Sequence, residues 1–287
     1  MSKKILKIFL IIIAVVCVII CAASLTFILQ YKKGLSDHEA LVQQVKSNFT
    51  ALRNNDNNDD NNNQPNMPEL PVETPEPVVE LPVDFAALEE INTDIYAWLE
   101  IPGTTVNYPV VQSRDDDNYY NNHGSNGKYS LYGSIFSQAS YNGRDFRDPV
   151  TVLYGHNVVY GMENMFALLN NYADAEYFDS HGTIYIYTPD RVLEYRVFAA
   201  YLHNNEHLLA YRDFSNPEEY AEFFDSIRNG ALYGNFNDDY MPSPGDRVLT
   251  LSTCFAKNSR QRYLVQAVLV DEMKAEFTRP ADAEEAD

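Results

Sequence analysis

Short apolar runs separated by turn residues occupy the sequence from about residue 84 to residue 270. The runs are rich in β-branched and aromatic residues, and Pro-Gly pairs at positions 102–103 and 244–245 fall between them. This spacing is typical of β-strands and predicts a mainly β domain. The predicted strands are Ile95–Ile101, Val106–Val111, Val150–Tyr154, Ile184–Tyr187, Val192–Leu202, Arg247–Cys254 and Arg262–Val270.

Helical spacing is confined to a few segments of this domain. Asp84 is placed to cap a short helix at the start of the domain. Residues 163–169 and 217–228 also have helical spacing, and the second of these begins with a proline. The apolar faces are formed by Phe85, Leu88 and Ile91 in the first helix and by Tyr220, Phe223, Phe224 and Ile227 in the last. Many short strands with a few helices in their connections predict a closed or nearly closed β-barrel.

A long apolar stretch precedes the β domain. It runs from Ile8 to Leu29 without a charged residue, and a helix of this length is long enough to cross a hydrocarbon core of about 30 Å. Lysines at positions 3, 4 and 7 favour a cytoplasmic N-terminus, with the rest of the chain outside the cell. A cleaved signal peptide is the competing interpretation, because small residues follow Cys21. The length of the run favours an uncleaved single-pass anchor.

Between the anchor and the β domain the composition changes twice. Residues 54–63 are almost all Asn and Asp, and six prolines follow between positions 65 and 82. Neither stretch has enough apolar side chains to form a core, so both predict a spacer. The resulting organisation is a cytoplasmic tail at 1–7, an anchor at 8–29, a stalk and linker at 30–83, a folded domain at 84–275 and an acidic tail at 276–287.

The charge balance limits the partners of the exported part. All 41 acidic residues follow Gly34, together with 16 of the 21 basic residues, so the net charge after that position is 16 minus 41, or -25. Binding to nucleic acid is not expected, because phosphate contacts require clustered positive charge. Only one of the three cysteines lies outside the apolar stretch, so no internal disulfide is expected in the β domain.

That cysteine, Cys254, ends the run Thr-Leu-Ser-Thr-Cys on a predicted strand. A lone exported cysteine is either a buried apolar side chain or a nucleophile, and a nucleophile needs a base or a cation nearby. His156 follows an apolar strand at a glycine turn, and Arg262 begins the strand after the cysteine. Taken separately, each fits an ordinary surface residue. Together with Cys254 they fit acyl transfer, in which a guanidinium stabilises an oxyanion.

These residues give the chain a resemblance to the sortases, specifically class B. The run ending at Cys254, with Arg262 eight residues later, matches the family's TLxTC signature and arginine strand, and Tyr-Gly-His ending at His156 matches its histidine turn. Further class B likeness lies in residues 91–94 with Trp98, in 108–112, in 132–136 and in the helix at 217–228. The resemblance covers about residues 84–270. It implies a sortase-type closed β-barrel of about eight strands, with an N-terminal helix and a helix before the cysteine strand.

The resemblance also implies a function, that of a membrane-anchored cysteine transpeptidase of a Gram-positive bacterium. It cleaves a sorting signal near the C-terminus of a secreted protein and transfers the new carboxyl end to an amine of a peptidoglycan precursor or of a pilin. It implies Cys254 as nucleophile, His156 as proton donor and base, and Arg262 as stabiliser of substrate and oxyanion. Ser252 and Thr253 are expected to line the substrate groove. No cofactor or metal is expected.

Some alternatives remain open at this stage. A surface-anchored binding module or an inactive sortase-like protein needs no reactive thiol, and a secreted cysteine peptidase transfers the acyl group to water. His203 and His207 have the spacing of metal ligands on a helix, but they lack a third ligand and are expected in a solvated loop. The acidic residues at 115–117 are also expected in a loop, where weak calcium binding is the alternative.

Overall fold

The computed structural model describes residues 78–157, 165–230, 234–255 and 258–278, together with Thr26, without the side chains of residues 254, 255, 258 and 259. Apart from Thr26, the predicted anchor at 8–29 lies outside these residues, as do the cytoplasmic tail and most of the linker and acidic tail. Within the described residues, no helix has both the length and the apolar character required to cross a membrane.

The described residues form a β-barrel. The strands are β1 (Val79–Glu80), β2 (Ile95–Glu100), β3 (Asn107–Val111), β4 (Ile135–Phe136), β5 (Val150–Tyr154), β6 (Thr183–Thr188), β7 (Arg191–His203), β8 (Gly234–Phe236), β9 (Val248–Phe255) and β10 (Asn258–Glu276). The sheet has the strand order β10-β9-β5-β4-β3-β2-β6-β7, and β10 pairs with β7 as well as with β9, which closes eight strands into a ring. The short strands β1 and β8 attach to β10 and β7. The predicted closed barrel is therefore confirmed.

Two predicted helices are present. α1 (Phe85–Ile91) is capped by Asp84, whose carboxylate accepts from the Ala87 amide. Of the three residues of the predicted apolar face, Leu88 is buried, Phe85 packs against the core and Ile91 is 41% exposed. α3 (Pro217–Gly230) buries its expected aromatic face over β5, β7, β9 and β10. Each large apolar side chain removed from water there contributes about 1.5–3 kcal/mol before entropy is counted.

The helix predicted at 163–169 differs from the structure. A 3-10 helix, Ala167–Ala173, lies at its end, and α2 (Ala175–Ser180) follows with Asp174 as its cap. Met165 instead pairs with Asn157 in an isolated bridge and has a φ of 55°. Further 3-10 helices cover Asp238–Tyr240 and Tyr119–Asn121, and the second of these is named the Tyr119 turn below.

The barrel also takes in residues ahead of Asp84. Leu81 and Val83 are each 1% exposed, and the Leu81 amide donates to the Glu276 carbonyl over 2.8 Å. Both ends of the described domain are thus joined through β1 and the end of β10. A fragment beginning at residue 84 lacks this strand and these core side chains.

Candidate functional site

The turn that carries His156 is fixed to the neighbouring strand β9. The Gly155 amide donates to the Ser252 carbonyl over 3.1 Å, and the Gly155 carbonyl accepts from the Thr253 hydroxyl over 2.8 Å. The His156 carbonyl in turn accepts from the Phe166 amide over 3.0 Å. These bonds hold the backbone on both sides of the histidine.

Gly155 is required by the packing of this turn. A Cβ atom at this position would lie 2.6 Å from both Ile135 Cδ1 and Phe166 Cδ2, which is closer than Cβ contacts found in proteins. The absence of a side chain lets the turn lie against the core and places His156 directly beyond the end of β5.

The His156 imidazole makes a hydrogen bond to the Tyr119 turn. Its Nε2 atom lies 2.7 Å from the carbonyl oxygen of Asn121. Since a carbonyl oxygen can only accept, Nε2 carries a proton in this arrangement. The partner is 35 residues away along the chain, so the contact is a product of the fold.

Strand register places the other two predicted catalytic positions opposite each other. Arg262 on β10 pairs with Cys254 on β9, and on its other side it pairs with His203 on β7. On the far side of β9, Ser252 pairs with Tyr154 at the end of β5. The cysteine strand therefore lies between the strand that leads into His156 and the strand that carries Arg262.

A cavity of about 320 Å³ lies at this end of the barrel. One side, named the barrel wall, is formed by Tyr154, His156, Ser252, Thr253 and Arg262. A second part of the lining, named the loop wall, is formed by residues 205–208 of the connection between β7 and α3. Asn118, Asn121, Phe136 and Gln138 also line the space.

His207 attaches the loop wall to the loop that follows β4. Its Nδ1 atom accepts from the Ala210 amide over 3.1 Å, so the proton of the neutral ring is on Nε2, which donates to Gln138 Oε1 over 2.8 Å. The Tyr141 ring lies against the imidazole at 4.4 Å between centroids. Burial lowers the pKa of His207 below its ordinary value, which favours the neutral form that makes both bonds.

Tyr154 supplies a hydroxyl to the cavity. Burial raises the pKa of its phenol well above the usual range, nearby Tyr141 acts in the same direction, and Arg262 opposes both. The phenol is therefore a neutral hydrogen-bonding group at physiological pH. Its oxygen lies 3.4 Å from His207 Nε2, which makes it a contact between the two walls of the cavity.

The structure brings the predicted site residues to one place. His156, Ser252, Thr253 and Arg262 all line the cavity, and the backbone of Cys254 pairs with that of Arg262. Ser252 and Thr253 are 5% and 2% exposed, and the Thr253 hydroxyl is bound to Gly155, so its visible role is to hold the histidine turn.

Several cavity residues were not identified from sequence, namely Asn121, Gln138 and Tyr154. Of these only Tyr154 carried a signal, since it is the first residue of the Tyr-Gly-His motif. The prediction that His203 and His207 both lie in a solvated loop is wrong for His203, which is the last residue of β7 and pairs with Arg262, whereas His207 lies in the connection after β7. Both histidines line the cavity, and within the described residues no group of three potential ligands lies close enough to hold a metal ion.

The acidic residues at 115–117 lie in the loop after β3. Asp116 accepts from the Asn118 amide over 2.8 Å, and Asp117 accepts from the Ser140 amide over 3.1 Å. These carboxylates shape the loop, which agrees with the position expected from the sequence.

Comparison with known proteins identifies the family of this chain. The Sortase domain family model matches residues 99–270. Sortase B of Staphylococcus aureus is 32% identical over 176 residues, which is 59% of this chain and 67% of that protein. Sortase B of Listeria monocytogenes is 30% identical over 185 residues, 64% of this chain and 72% of that protein. The chain belongs to the class B sortases.

Solved sortase structures share the fold. The S. aureus sortase B–substrate complex has a TM-score of 0.62 at 26% identity, covering 84% of this chain and 97% of that chain. Clostridium perfringens sortase B has a TM-score of 0.58 at 29% identity, covering 66% of this chain and 100% of that chain. The reaction of this sortase is accordingly transpeptidation.

Proposed function

We propose that this sortase cleaves the C-terminal sorting signal of a secreted protein and transfers the acyl group from Cys254 to an amine of a peptidoglycan precursor. The observation that carries the proposal is the register of β9 and β10, which sets Arg262 opposite Cys254 beside the cavity that His156 also lines. A nucleophile, an acid–base group and a cation around one cavity meet the requirements of acyl transfer.

The first half of the proposed reaction forms a thioester. The thiolate of Cys254 attacks the carbonyl carbon of the scissile peptide bond, and the carbonyl electrons move onto oxygen, where the Arg262 guanidinium stabilises the negative charge. The oxyanion then collapses, the carbon–nitrogen bond breaks, and the leaving amine takes a proton from the His156 imidazolium.

The second half returns the enzyme to its starting state. The neutral imidazole accepts the proton that the incoming amine loses as it attacks the thioester. The carbon–sulfur bond then breaks, and the thiolate leaves with the bonding electrons. Water in place of the amine gives hydrolysis, so the identity of the acceptor distinguishes a transpeptidase from a peptidase.

The test uses the purified chain, a panel of proline-containing sorting peptides and an added amine such as a glycine oligomer. The expected product is the peptide–amine conjugate, and Cys254→Ala is expected to abolish both conjugate and cleavage. Cleavage that survives this substitution contradicts the thioester mechanism. Cleavage that needs Cys254 but gives only the free acid identifies a hydrolase, and no reaction with any peptide at any amine concentration favours an inactive sortase-like protein or binding module.

Two kinds of acceptor amine are compatible with the proposed reaction. A cell-wall precursor presents the amine of a short peptide branch, whereas a pilus-assembling sortase uses a lysine amine of a pilin. Competition between a glycine oligomer and a lysine-containing pilin peptide decides this, and we expect the glycine amine to be preferred.

We further propose that the apolar segment at 8–29 anchors the enzyme in the cell membrane with residues 30–287 outside. The support is the length of the uncharged run and the lysines that precede it. Protease treatment of intact protoplasts is expected to remove the domain and leave a short membrane-bound fragment. An intact domain after this treatment contradicts the orientation, and release of a shortened chain into the medium identifies a cleaved signal peptide.

A further inference from the structure

The Tyr119 turn is the partner of the His156 imidazole, although it lies outside the strands that carry the signature motifs. We propose that Gly133 and the Tyr119 turn are positioning residues for His156: they hold the Asn121 carbonyl against Nε2, so that Nδ1 is the nitrogen that exchanges protons during catalysis. This inference rests on the proposed role of His156 and adds to it the residues that orient the ring.

The tautomer follows from the chemistry of the contact. Asn121 O is 2.7 Å from Nε2 and has no proton to give, so Nε2 is protonated in both the neutral ring and the imidazolium. Nδ1 is therefore the ring nitrogen that gains and loses a proton during catalysis. Loss of the carbonyl contact leaves both tautomers available, and part of the neutral population then has its proton on the nitrogen that must act as the base.

The position of the Asn121 carbonyl is set by the residue before it. Tyr120 is 2% exposed, and its hydroxyl accepts from Asn92 Nδ2 over 2.7 Å and donates to Asp94 Oδ2 over 2.8 Å. The Tyr120 carbonyl accepts from the Ser134 amide over 3.0 Å. The Tyr119 turn is therefore held by the buried Tyr120 side chain and by the hydrogen bond from Ser134, which belongs to the segment that leads into β4.

Gly133 allows that segment to approach. Its φ is +58°, and a Cβ atom there would lie 2.6 Å from the Tyr120 carbonyl oxygen and 2.8 Å from the Asn121 carbonyl oxygen. Both are backbone atoms, which cannot turn aside as a flexible side chain can. Any side chain at this position must displace the carbonyl that orients His156.

The same loop supplies a matched control. Gly127 also has a left-handed φ, +72°, but no atom lies within 4 Å of the Cβ position. Alanine at either position therefore carries a similar backbone strain, and only alanine at 133 pushes against the turn. A difference in activity between Gly133→Ala and Gly127→Ala reports on the contact with the turn.

The experiment measures kcat and KM of the full chain for both variants. We expect Gly133→Ala to lower kcat by about 10- to 100-fold with KM little changed, because a shift of about 1 Å in a reacting group costs up to about 100-fold. The Gly127 carbonyl accepts from the Tyr119 hydroxyl over 3.0 Å, but no atom lies near its Cβ position, so the added methyl group does not press on the turn. Gly127→Ala is therefore expected to keep kcat within about twofold of the original. Equal kcat values for the two variants overturn the proposal.

Nitrogen-15 NMR of the histidine rings tests the tautomer without a glycine variant. In the original protein the neutral His156 ring is expected to carry its proton on Nε2, and a ring protonated on Nδ1 overturns the proposal. Should Gly133→Ala not fold, Tyr120→Phe removes the two hydroxyl bonds while keeping the ring. Tyr120→Phe is expected to lower kcat several-fold, and an unchanged kcat contradicts the positioning role of the Tyr119 turn.

The outcome for His156 itself separates this inference from the function on which it rests. Activity retained by His156→Ala contradicts the proposed mechanism as a whole. If His156→Ala loses activity but Gly133→Ala and Gly127→Ala have equal kcat values, only the positioning role is contradicted.

Discussion

The two walls of the cavity are built in different ways. The barrel wall takes its residues from the end of β5 and from β9 and β10, whose backbones are joined in register, so that Ser252 faces Tyr154 and Arg262 faces Cys254. The loop wall belongs to the long connection between β7 and α3, where the His207 side chain bonds to the loop after β4 and Leu208 is buried in the core. Backbone ladders fix the reacting groups, whereas individual side-chain bonds shape the space beside them.

This difference assigns different tasks to the walls. Strand positions change only if the register of the barrel changes, which requires many hydrogen bonds to break together. A neutral side-chain hydrogen bond contributes only about 0.5–1.5 kcal/mol, so the His207 contact can be altered without loss of the fold. We therefore expect substitutions in the barrel wall to affect turnover and substitutions in the loop wall to affect substrate binding.

The largest effect is expected for Arg262→Ala in the barrel wall. Loss of one oxyanion-stabilising group typically costs about 100- to 1,000-fold in turnover, and Arg262 lies opposite Cys254 beside the cavity. The measurement is kcat for amine-dependent transfer by the full chain, together with the urea midpoint to show that the fold is retained.

Arg260→Ala is the matched control for this prediction. Arg260 lies two residues earlier on the same strand and is exposed, and an exposed side chain usually changes stability by no more than about 0.5 kcal/mol. We expect its kcat to stay within a few-fold of the original. The opposite ranking of the two variants would show that the arginine was assigned incorrectly.

The next largest effect is expected for Gly155→Ala. The added methyl group meets Ile135 and Phe166 at 2.6 Å, and overpacking of this kind costs about 1–3 kcal/mol of unfolding free energy. Because the residue precedes His156, kcat is expected to fall by about tenfold or more as the turn shifts. Urea denaturation and transfer kinetics measure the two effects.

Gly182→Ala provides the comparison at a glycine away from the cavity. There the nearest atoms to the new Cβ are backbone oxygens at 3.9 Å, which is ordinary contact. Its stability and kcat are expected to remain near the original values. A Gly155→Ala enzyme that behaves in the same way would show that the turn relaxes without moving the histidine.

The contrast between the walls also explains which parts of the site could be predicted from sequence. The barrel wall is encoded in short continuous motifs, Thr-Leu-Ser-Thr-Cys and Tyr-Gly-His, on runs whose apolar character identifies them as strands. The loop wall depends on pairs that are distant in the chain, and His207 and Gln138 are 69 residues apart. Such a pair leaves no local pattern, so His207 was read as part of a solvated loop.

The same reasoning applies to the rest of the fold. Every predicted strand is present with its ends moved by a few residues, except that β10 continues to Glu276, where its polar residues gave no apolar signal. The strands β1, β4 and β8 were missed, since two or three residues are too few to show alternation. The helix expected at 163–169 failed because its apolar residues serve a bridge and a 3-10 helix instead.

A smaller effect, on binding, is expected for His207→Ala in the loop wall. The substitution removes the bond to Gln138 and the side-chain acceptor of the Ala210 amide, which also donates to the His207 carbonyl. Each lost bond contributes about 0.5–1.5 kcal/mol. We expect KM for the sorting peptide to rise several-fold while kcat changes by less than about twofold. Peptide titration under single-turnover conditions separates the two quantities.

Tyr211→Ala tests whether any substitution in the connection between β7 and α3 raises KM as His207→Ala does. Tyr211 lies four residues further on and is 72% exposed, so its loss leaves the His207 bonds in place. We expect its KM to match that of the original protein. A rise in KM as large as that of His207→Ala would mean that the loop as a whole, rather than the His207 contact, sets binding.

The smallest effect expected is a change in peptide binding with pH that depends on His207. Burial lowers the folded-state pKa of His207, so the bond that Nδ1 accepts from the Ala210 amide is present above the ordinary value of 6.5 and is lost as pH falls through the lower folded-state pKa. The imidazolium keeps the bond from Nε2 to Gln138, because both of its nitrogens are donors. The surrounding groups are Tyr141 and Tyr154, with Asp117 acting to raise the pKa and so opposing part of the shift. The KM values of the original protein and His207→Ala are therefore expected to approach each other as pH falls, because protonation of Nδ1 removes one of the two bonds that the substitution removes. A ratio of KM values that stays constant with pH would show that the loop wall is held by contacts other than the neutral imidazole.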